Sequence, residues 1–327
     1  MNITVTHKLA KRLIEAEGEA LSGQQLADEF GISRTAVWKH IKELEEMGYT
    51  IHSVKKKGYS LSGSPDSLQP AAVQALLKTR SLGREIEYVP TCASTQIIAH
   101  QLAQEGKPAG TVVLAEEQTA GRGRLARKWD SAAGKGIWMS VILRPAVVPQ
   151  KAPQFTLVAA VAVVRAIEEV TGLKPEIKWP NDILIAGRKC TGILTELQSD
   201  ADGIQALIIG IGLNANQDAA DFPAELAGIA TSLKMESGSG VSRQELVRAI
   251  LYHLEVYTDL YISQGFGLLK TIWEGYSSTI GNQVRARMAK ETLTGIAESI
   301  TEDGVLQLRT PDGKLHSIYS ADIEMAN

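Results

Sequence analysis

Apolar positions recur every three to four residues through the first fifty positions of the chain. Leu9, Leu13 and Ile14 mark one helix, stopped at Gly18. Ser22, with Gln25 three residues on, makes a capping-box start for a second helix, which carries Leu26 and Phe30 and breaks at Gly31. Ser33 opens a third, in which Val37, Ile41, Leu44 and Met47 keep the 3.6-residue period up to Gly48. The pattern then changes to two short β-prone stretches, 49–54 and 58–61, joined by Lys55-Lys56-Lys57-Gly58. Three helices followed by a basic hairpin predict a winged helix-turn-helix over residues 1–63. Residues 64–79 read as a linker with a short bridging helix from Pro70 to Lys78.

From 80 to 275 the pattern mixes strands with helices. Strands are expected at 111–116, 136–143, 176–179, 183–185, 190–197 and 207–213, and helices at 94–105, 154–171 and 242–263. Strict β-α-β alternation is missing, which favours an α+β layer over a doubly wound sheet. Residues 276–327 predict only strands, at 283–288, 292–300, 305–310 and 314–319, set apart by Asp303-Gly304 and Pro311-Asp312-Gly313. So short an all-β segment suggests a small SH3-like barrel. The expected fold class is therefore multidomain α+β. No repeat of 20–50 residues is present, which excludes a solenoid.

Composition narrows the picture. The 327 residues carry 34 basic and 37 acidic side chains, a net charge of −3, so only a local basic face can attract nucleic acid. Two cysteines, Cys92 and Cys190, make no disulfide framework in a chain this long. The longest apolar run, 155–164, is half of the roughly 20 residues a membrane-spanning helix needs. Residues 1–20 have no apolar signal core. A cytoplasmic protein with no membrane partner is expected.

Four stretches carry candidate chemistry. The third helix would present Ser33, Arg34, Thr35, Lys39 and His40 to DNA, with Lys55, Lys56 and Lys57 of the wing on phosphates. Trp38 fits either the core or a place near the DNA backbone. A protein-interaction domain with a charged face is the plainer alternative.

The second stretch is Gly121-Arg122-Gly123-Arg124-Leu125-Ala126-Arg127-Lys128-Trp129. Four cations within seven residues repel one another unless an anion such as a polyphosphate or adenylate joins them, and the glycines permit close backbone approach. The run formally matches a dinucleotide-binding glycine pattern, but no helix follows it to hold a pyrophosphate. A Walker P-loop is absent. A solvated basic loop is the bland reading.

The third is Lys178-Trp179-Pro180-Asn181-Asp182, with Arg188-Lys189 and Gly192-Ile193-Leu194 close behind. Asp182 and Asn181 are oxygen ligands suited to Mg²⁺. A turn at Ala186-Gly187 would bring Lys189 back beside Asp182, where its charge can stabilise a developing anion. A surface hairpin with a weak ion pair is the alternative.

The fourth is Gly210-Ile211-Gly212-Leu213-Asn214-Ala215-Asn216, a strand with small residues and a polar end. Ser94-Thr95 reads as a helix cap or as a hydroxyl pair for a small polar ligand. Cys190 reads as a core thiol, and the six histidines show no metal spacing.

In this order and spacing, the segments resemble the bifunctional biotin–protein ligase and biotin operon repressor family over nearly the whole chain. The resemblance implies a central ligase domain of class II-synthetase-like fold at 80–275 and an SH3-like barrel at 276–327. It implies an ATP-dependent, AMP-forming reaction that makes biotinyl-5′-AMP and passes biotin to a lysine of a biotin carboxyl carrier domain. By carry-over, Ser94, Thr95, Gln96, Gln118, Arg122, Gly123, Arg124, Lys189 and Gly192 serve biotin. Arg127, Trp129, Lys178, Asn181, Asp182 and Asn214 serve ATP and the adenylate. Asp182 stands nearest Mg²⁺, and Arg124 and Lys189 act in catalysis. Residues 216–230 resemble the loop the adenylate orders. The adenylate-bound homodimer would repress at operator DNA, with unmodified carrier competing for the same surface. Two departures stand out. Gln96 replaces the family's usual asparagine and is one methylene longer, and Leu125-Ala126 replace a more glycine- and arginine-rich continuation. A ligand-sensing transcription factor without enzymatic activity and a lipoate–protein ligase are the competing readings.

Overall fold

The computed structural model describes residues 5–16, 18–54, 57–63, 66–200 and 203–326. They form two compact units.

The first unit lies within Met1–Lys78 and includes Ser242–Arg248. Helices α1 (Val5–Glu15), α2 (Gly23–Phe30) and α3 (Arg34–Glu46) bury Leu9, Leu13, Leu26, Val37, Ile41 and Leu44 against one another. Both serine caps form as expected: Ser22 Oγ accepts from the Gln25 N–H at 3.0 Å and Ser33 Oγ from the Ala36 N–H at 3.1 Å. Met47 leaves the apolar row. It is the C-cap of α3 and is 42% exposed, because the period ends with the helix at Glu46.

Strands β1 (Thr50–Val54) and β2 (Gly58–Gly63) pair antiparallel, the second running two residues past the expected end. Gly58 begins β2 at φ +114°, and a Cβ there would lie 1.9 Å from the Leu21 carbonyl oxygen, so the wing's return accepts only glycine. Of the wing lysines, Lys57 is described; Lys55 and Lys56 lie outside the described residues, as do Ser64 and Pro65 of the linker.

Helix α4 (Pro70–Leu76) packs beside α1. Buried Arg243, also in this unit, donates through Nε to Asp66 Oδ2 at 2.7 Å and through its backbone N–H to Oδ1 at 2.9 Å.

The second unit is built on a seven-stranded sheet. Its strands are β3 (Ile86–Cys92), β4 (Val112–Gln118), β5 (Gly136–Leu143), β6 (Glu176–Lys178), β7 (Asp182–Ile185), β8 (Arg188–Asp200) and β9 (Gly203–Asn214), in the order β3-β4-β5-β9-β8-β7-β6. Only β3 and β4 run parallel; the other neighbours are antiparallel, in keeping with the α+β expectation. Helix α5 (Thr95–Gln104) covers one face, where Ala99 and Ala103 meet Val113, Ile142 and Ile208. Helix α6 (Gln154–Thr171) lies on the other, where Thr156 bonds Thr195. The 155–164 run is apolar because α6 is buried on nearly every side.

Helices α7 (Leu233–Ser237), α8 (Arg243–Gln264) and α9 (Gly267–Gly275) follow. A five-stranded antiparallel sheet closes the chain, β10 (Gln283–Arg287), β11 (Thr292–Ile300), β12 (Leu306–Arg309), β13 (Leu315–Ile318) and β14 (Asp322–Met325), in the order β13-β12-β11-β10-β14. It buries Val284, Ala286, Ala297, Leu306 and Leu308. Trp179 Nε1 donates to the Gly304 carbonyl at 3.1 Å and Gln154 Nε2 to the Glu302 carbonyl at 2.6 Å, which fastens this sheet to the body of the second unit.

Four elements were not expected from the sequence: β3, the five-residue α7, α9 and β14. β3 is an edge strand carrying Pro90, which hides its strand character. β14 is four residues long and exists through its pairing with distant β10. α9 is a short amphipathic turn of chain close behind α8.

Candidate ligase site

The site assembles where β7, β8 and β9 end beside the glycine–arginine loop. Gly192 of β8 and Gly212 of β9 sit opposite each other in the ladder and make a floor without side chains. The Trp129 indole lies on that floor. A Cβ on Gly192 would stand 2.9 Å from its ring and one on Gly212 would stand 2.6 Å from its Nε1. The indole N–H is buried and has no hydrogen-bond partner among the described residues. Lys189 Nζ lies 5.3 Å from the ring centroid, within cation–π range.

Cations gather around one carboxylate. The β6–β7 hairpin places Asp182 across from Lys178, and β8 returns Lys189 to the same point. Lys189 Nζ is 2.7 Å from Asp182 Oδ1 and Lys178 Nζ is 3.6 Å from Oδ2. The anticipated turn at Ala186-Gly187 is present, both residues having positive φ. Arg124 reaches in from the loop and donates to Asn181 Oδ1 at 3.0 Å and to Ser320 Oγ at 2.7 Å. Burial draws the Arg124 guanidinium pKa down, against the pull of Asp182 and Asp322. Arg127 donates to Asp322 Oδ2 at 2.5 Å, which holds that carboxyl below the usual aspartate range. Asn181 is itself fixed, its Nδ2 donating to the Ile193 carbonyl at 2.9 Å.

The loop is a tight hairpin. Trp129 N–H donates to the Gly121 carbonyl at 2.9 Å and Gly123 N–H to the Arg127 carbonyl at 2.7 Å. At its tip Leu125 is 75% exposed and stands at φ +56°, a conformation that favours glycine. A glycine at this position would hold that backbone without strain. Arg122 is exposed beside the hairpin.

A neutral, buried network forms the second half of the site. Gln118 Oε1 accepts from the Thr95 N–H at 2.9 Å and from Thr95 Oγ1 at 3.2 Å, while its Nε2 donates to Ser131 Oγ at 2.9 Å. Ser140 Oγ lies 2.9 Å from Thr95 Oγ1 and donates to Gln96 Oε1 at 2.9 Å. The Gln96 Nε2 reaches the carbonyls of Leu194 and Ile208, both at 3.3 Å. Its extra methylene thus spans to the β8–β9 backbone, and its amide is engaged at both ends. Gly210 makes the room, since a Cβ there would meet Gln96 Oε1 at 2.7 Å. Ser94 caps α5, its Oγ accepting from the Gln96 N–H.

Asn214 stands apart from the charges and anchors the loop that follows β9. Its Nδ2 donates to the Thr231 carbonyl at 3.1 Å and its Oδ1 accepts from Gln217 at 3.1 Å. The loop's return is stitched to Lys189, whose N–H donates to the Ile229 carbonyl at 2.8 Å and whose carbonyl accepts from Thr231 at 2.9 Å.

The structure therefore brings Arg124, Lys178, Asn181, Asp182, Lys189 and Trp129 together around Gly192, and Ser94, Thr95, Gln96 and Gln118 into the neighbouring network. Ser131, Ser140, Ser320 and Asp322 were not anticipated. Ser140 did leave a signal, as the lone polar residue of the apolar stretch 136–143. Cys190 is buried, and burial pushes its thiol up to about 12, so it is a core residue. No group of three or more histidine, cysteine or acidic side chains suited to a metal occurs among the described residues.

On the recognition helix, Ser33 is spent as the cap, while Arg34, Thr35 and Lys39 are exposed. His40 turns inward, its Nδ1 lying 2.9 Å from Thr6 Oγ1 and 3.1 Å from Glu43 Oε2.

Fold and site define a protein of two trades, a helix-turn-helix DNA-binding unit on the same chain as an α+β ligase. Comparison with known proteins agrees. Residues 88–214 match the Biotin/lipoate A/B protein ligase family, residues 6–60 an HTH domain and residues 279–325 the Biotin protein ligase C terminal domain. The chain is 47% identical over 325 residues to the Bifunctional ligase/repressor BirA of Bacillus subtilis (strain 168), covering 99% of this chain and 100% of that protein. It is 30% identical over 322 residues to the protein of the same description from Escherichia coli (strain K12), covering 98% and 97%. Among solved structures, a biotin protein ligase from Aquifex aeolicus in complex with biotin and ATP superposes with a TM-score of 0.65 at 29% identity, covering 74% of this chain and 100% of the other. The chain belongs to the bifunctional ligase/repressor family of biotin–protein ligases.

Proposed function

We propose that this chain joins biotin to ATP, releasing pyrophosphate and forming biotinyl-5′-AMP, and then passes the biotinyl group to a lysine amine of a carboxyl carrier domain, releasing AMP. The observation that carries the reading is the convergence of Arg124, Lys178 and Lys189 on a side-chain-free floor with a single central carboxylate, Asp182. A carboxylate and a triphosphate repel each other, and fixed cations between them lower the barrier to attack at the α-phosphate. Lys189 and Arg124 are assigned to the reacting carboxylate and phosphate, and Lys178, Asn181 and Arg127 to the remaining phosphates. The neutral network of Thr95, Gln118 and Ser140, with Gln96 as its brace, is assigned to the uncharged polar end of biotin.

Trp129 must leave the glycine floor for the biotin ring system, which frees it to pack on adenine. Its movement carries the loop over the mixed anhydride and excludes water. The 216–230 segment closes from the other side, hinged at Asn214 and Lys189. Mg²⁺ bound with ATP would screen the phosphate charge. Asp182 and Asn181 would be the residues to hold the ion, Asp182 once a phosphate has drawn off its two lysine partners.

β8 supports the partner reading. Beyond Ile193 it has a neighbour on one side only, β9, among the described residues. That open edge can take a strand from a second copy or from the carrier, but not both. A cleft of about 380 Å³ runs beside it from Arg124 and Asn181 past Leu157, Trp179 and Leu197, which suits the approach of an acceptor segment. Adenylate that favours the dimer-competent loop conformation would bring two winged helices to two half-sites, and by linkage would act as corepressor. We propose the partition 1–63, 64–79, 80–275 and 276–327 as the modular plan. No described helix is long and apolar enough to cross a membrane.

Biotin-dependent exchange between pyrophosphate and ATP tests the enzyme, with lipoate as the competing acid. Exchange with biotin alone is expected; exchange only with lipoate, or none, would defeat the reading. The double change Arg34→Ala with Lys39→Ala should weaken binding to DNA and leave exchange unaltered, each lost phosphate contact lowering the salt slope by about 0.9.

A further inference from the structure

The recognition helix carries one residue that neither the core nor the cations explain. Val37, Ile41 and Leu44 of α3 are fully buried, yet Trp38 between them is 50% exposed. Helical spacing puts Trp38 in one row with Arg34 and Lys42, at i−4 and i+4, and beside the row of Thr35 and Lys39. Lys42 is paired with Glu45, so the indole is flanked by Arg34 and Lys39 on the side of the helix that begins at the Ser33 cap. It is also isolated. Among the described residues of this unit the other large apolar side chain with comparable exposure is Met47, nine residues along, roughly 13 Å at 1.5 Å per residue. A protein partner would call for a continuous apolar patch. A lone aromatic between two exposed cations instead suits a polyanion with point-like apolar features. The major groove of duplex DNA is such a surface, and its apolar feature is the C5 methyl of thymine.

We propose that Trp38 is a specificity-determining residue, its indole packing on a thymine methyl in the major groove while Arg34 and Lys39 supply the polar contacts around it. The proposal rests on the reading of this unit as a DNA-binding module, and its test separates the two.

Duplexes enriched from a random library by the full chain with biotin, ATP and Mg²⁺ serve as probes. Each thymine is replaced in turn by deoxyuridine, which removes the methyl group and nothing else. At the contacted position the unaltered protein should lose about fourfold in affinity, the worth of one buried methyl at roughly 0.8 kcal/mol. Trp38→Ala should bind more weakly and be indifferent to that replacement, and Trp38→Phe should keep part of the response. Melting temperature and biotin-dependent exchange should match the unaltered protein in both variants. Enriched duplexes with no deoxyuridine-sensitive position, or a Trp38→Ala protein that keeps the sensitivity, would overturn the proposal and leave the DNA-binding reading intact. A change of oligomeric state in Trp38→Ala without a change in methyl response would mark the residue as a protein contact and also overturn it. Failure to enrich any duplex would overturn the DNA-binding reading together with the proposal.

Discussion

The two halves of the ligase site solve opposite problems. In the network of Thr95, Gln96, Gln118, Ser131 and Ser140, neutral hydroxyls and amides satisfy one another, and the arrangement is complete before any ligand arrives. Around Asp182 and Asp322, the cations Arg127, Lys178 and Lys189 are held by carboxylates that a phosphate can replace, and Arg124 by the Asn181 amide oxygen and the Ser320 hydroxyl. One half is a preset mould. The other is a set of charges stored on temporary partners. A ligand that enters the first gains shape; a ligand that enters the second exchanges ion pairs. The contrast teaches that a small uncharged recognition group needs rigidity, whereas a triphosphate needs partners that can let go.

Breaking the exchangeable half should have the largest effect. Lys189→Ala is expected to lower biotin-dependent pyrophosphate exchange by about 10²–10³-fold, the usual result of deleting one charge-stabilising donor, with the far-ultraviolet spectrum and melting temperature little changed. Turnover near the unaltered rate would remove Lys189 from the chemistry.

Damage to the preset half should appear as stability and biotin affinity together. Ser140→Ala strands Gln96 Oε1 in a buried site and should cost about 1–3 kcal/mol, measured by urea unfolding, with KM for biotin rising more than kcat falls.

A third change sharpens the comparison with a carboxylate that no ligand displaces. Glu255 accepts from the backbone N–H groups of Arg80, Ser81 and Leu82. Burial raises its pKa, but these donors outweigh burial and bring it to about 2. A lowered folded-state pKa contributes stability that is complete above the ordinary glutamate value and is lost as pH falls through the folded one. Glu255→Gln should therefore be less stable than the unaltered protein at pH 7, and the difference should fade between about pH 4.5 and 2. A pH-independent gap would sink the argument, and exchange activity at pH 7 should be spared.

The smallest effect belongs to the loop tip. Leu125→Gly removes a side chain from the left-handed region and should stabilise by about 1 kcal/mol or less, while making residues 121–129 more open to proteolysis in the absence of ligand.

How much of this was legible in the sequence depends on distance along the chain. The first unit was readable because its caps are local: Ser22 and Ser33 bond N–H groups three residues ahead. The glycine–arginine loop and the 178–189 hairpin were readable because each concentrates its chemistry in a short stretch. Asp322 and Ser320 were not, because they reach Arg127 and Arg124 only after the chain has folded back nearly two hundred residues. Gln96 shows the same limit from another side. Its extra length could be seen in the sequence, but the carbonyls of Leu194 and Ile208 and the space left by Gly210 exist only in the sheet. His40, read as a contact to DNA, also meets Thr6 and Glu43, and the contact with Thr6, 34 residues away, left no mark in the sequence.

Lys189 is worth following one step further. Its ammonium rests on Asp182, where we place the reacting anions, while its own peptide groups bond the loop after β9, the flap of the proposed closure, at Ile229 and Thr231. Trigger and hinge pin are one amino acid. A tug on the side chain has no linker to travel through before it reaches the loop, so on the proposed reading news of an occupied centre would be delivered to the flap at its root.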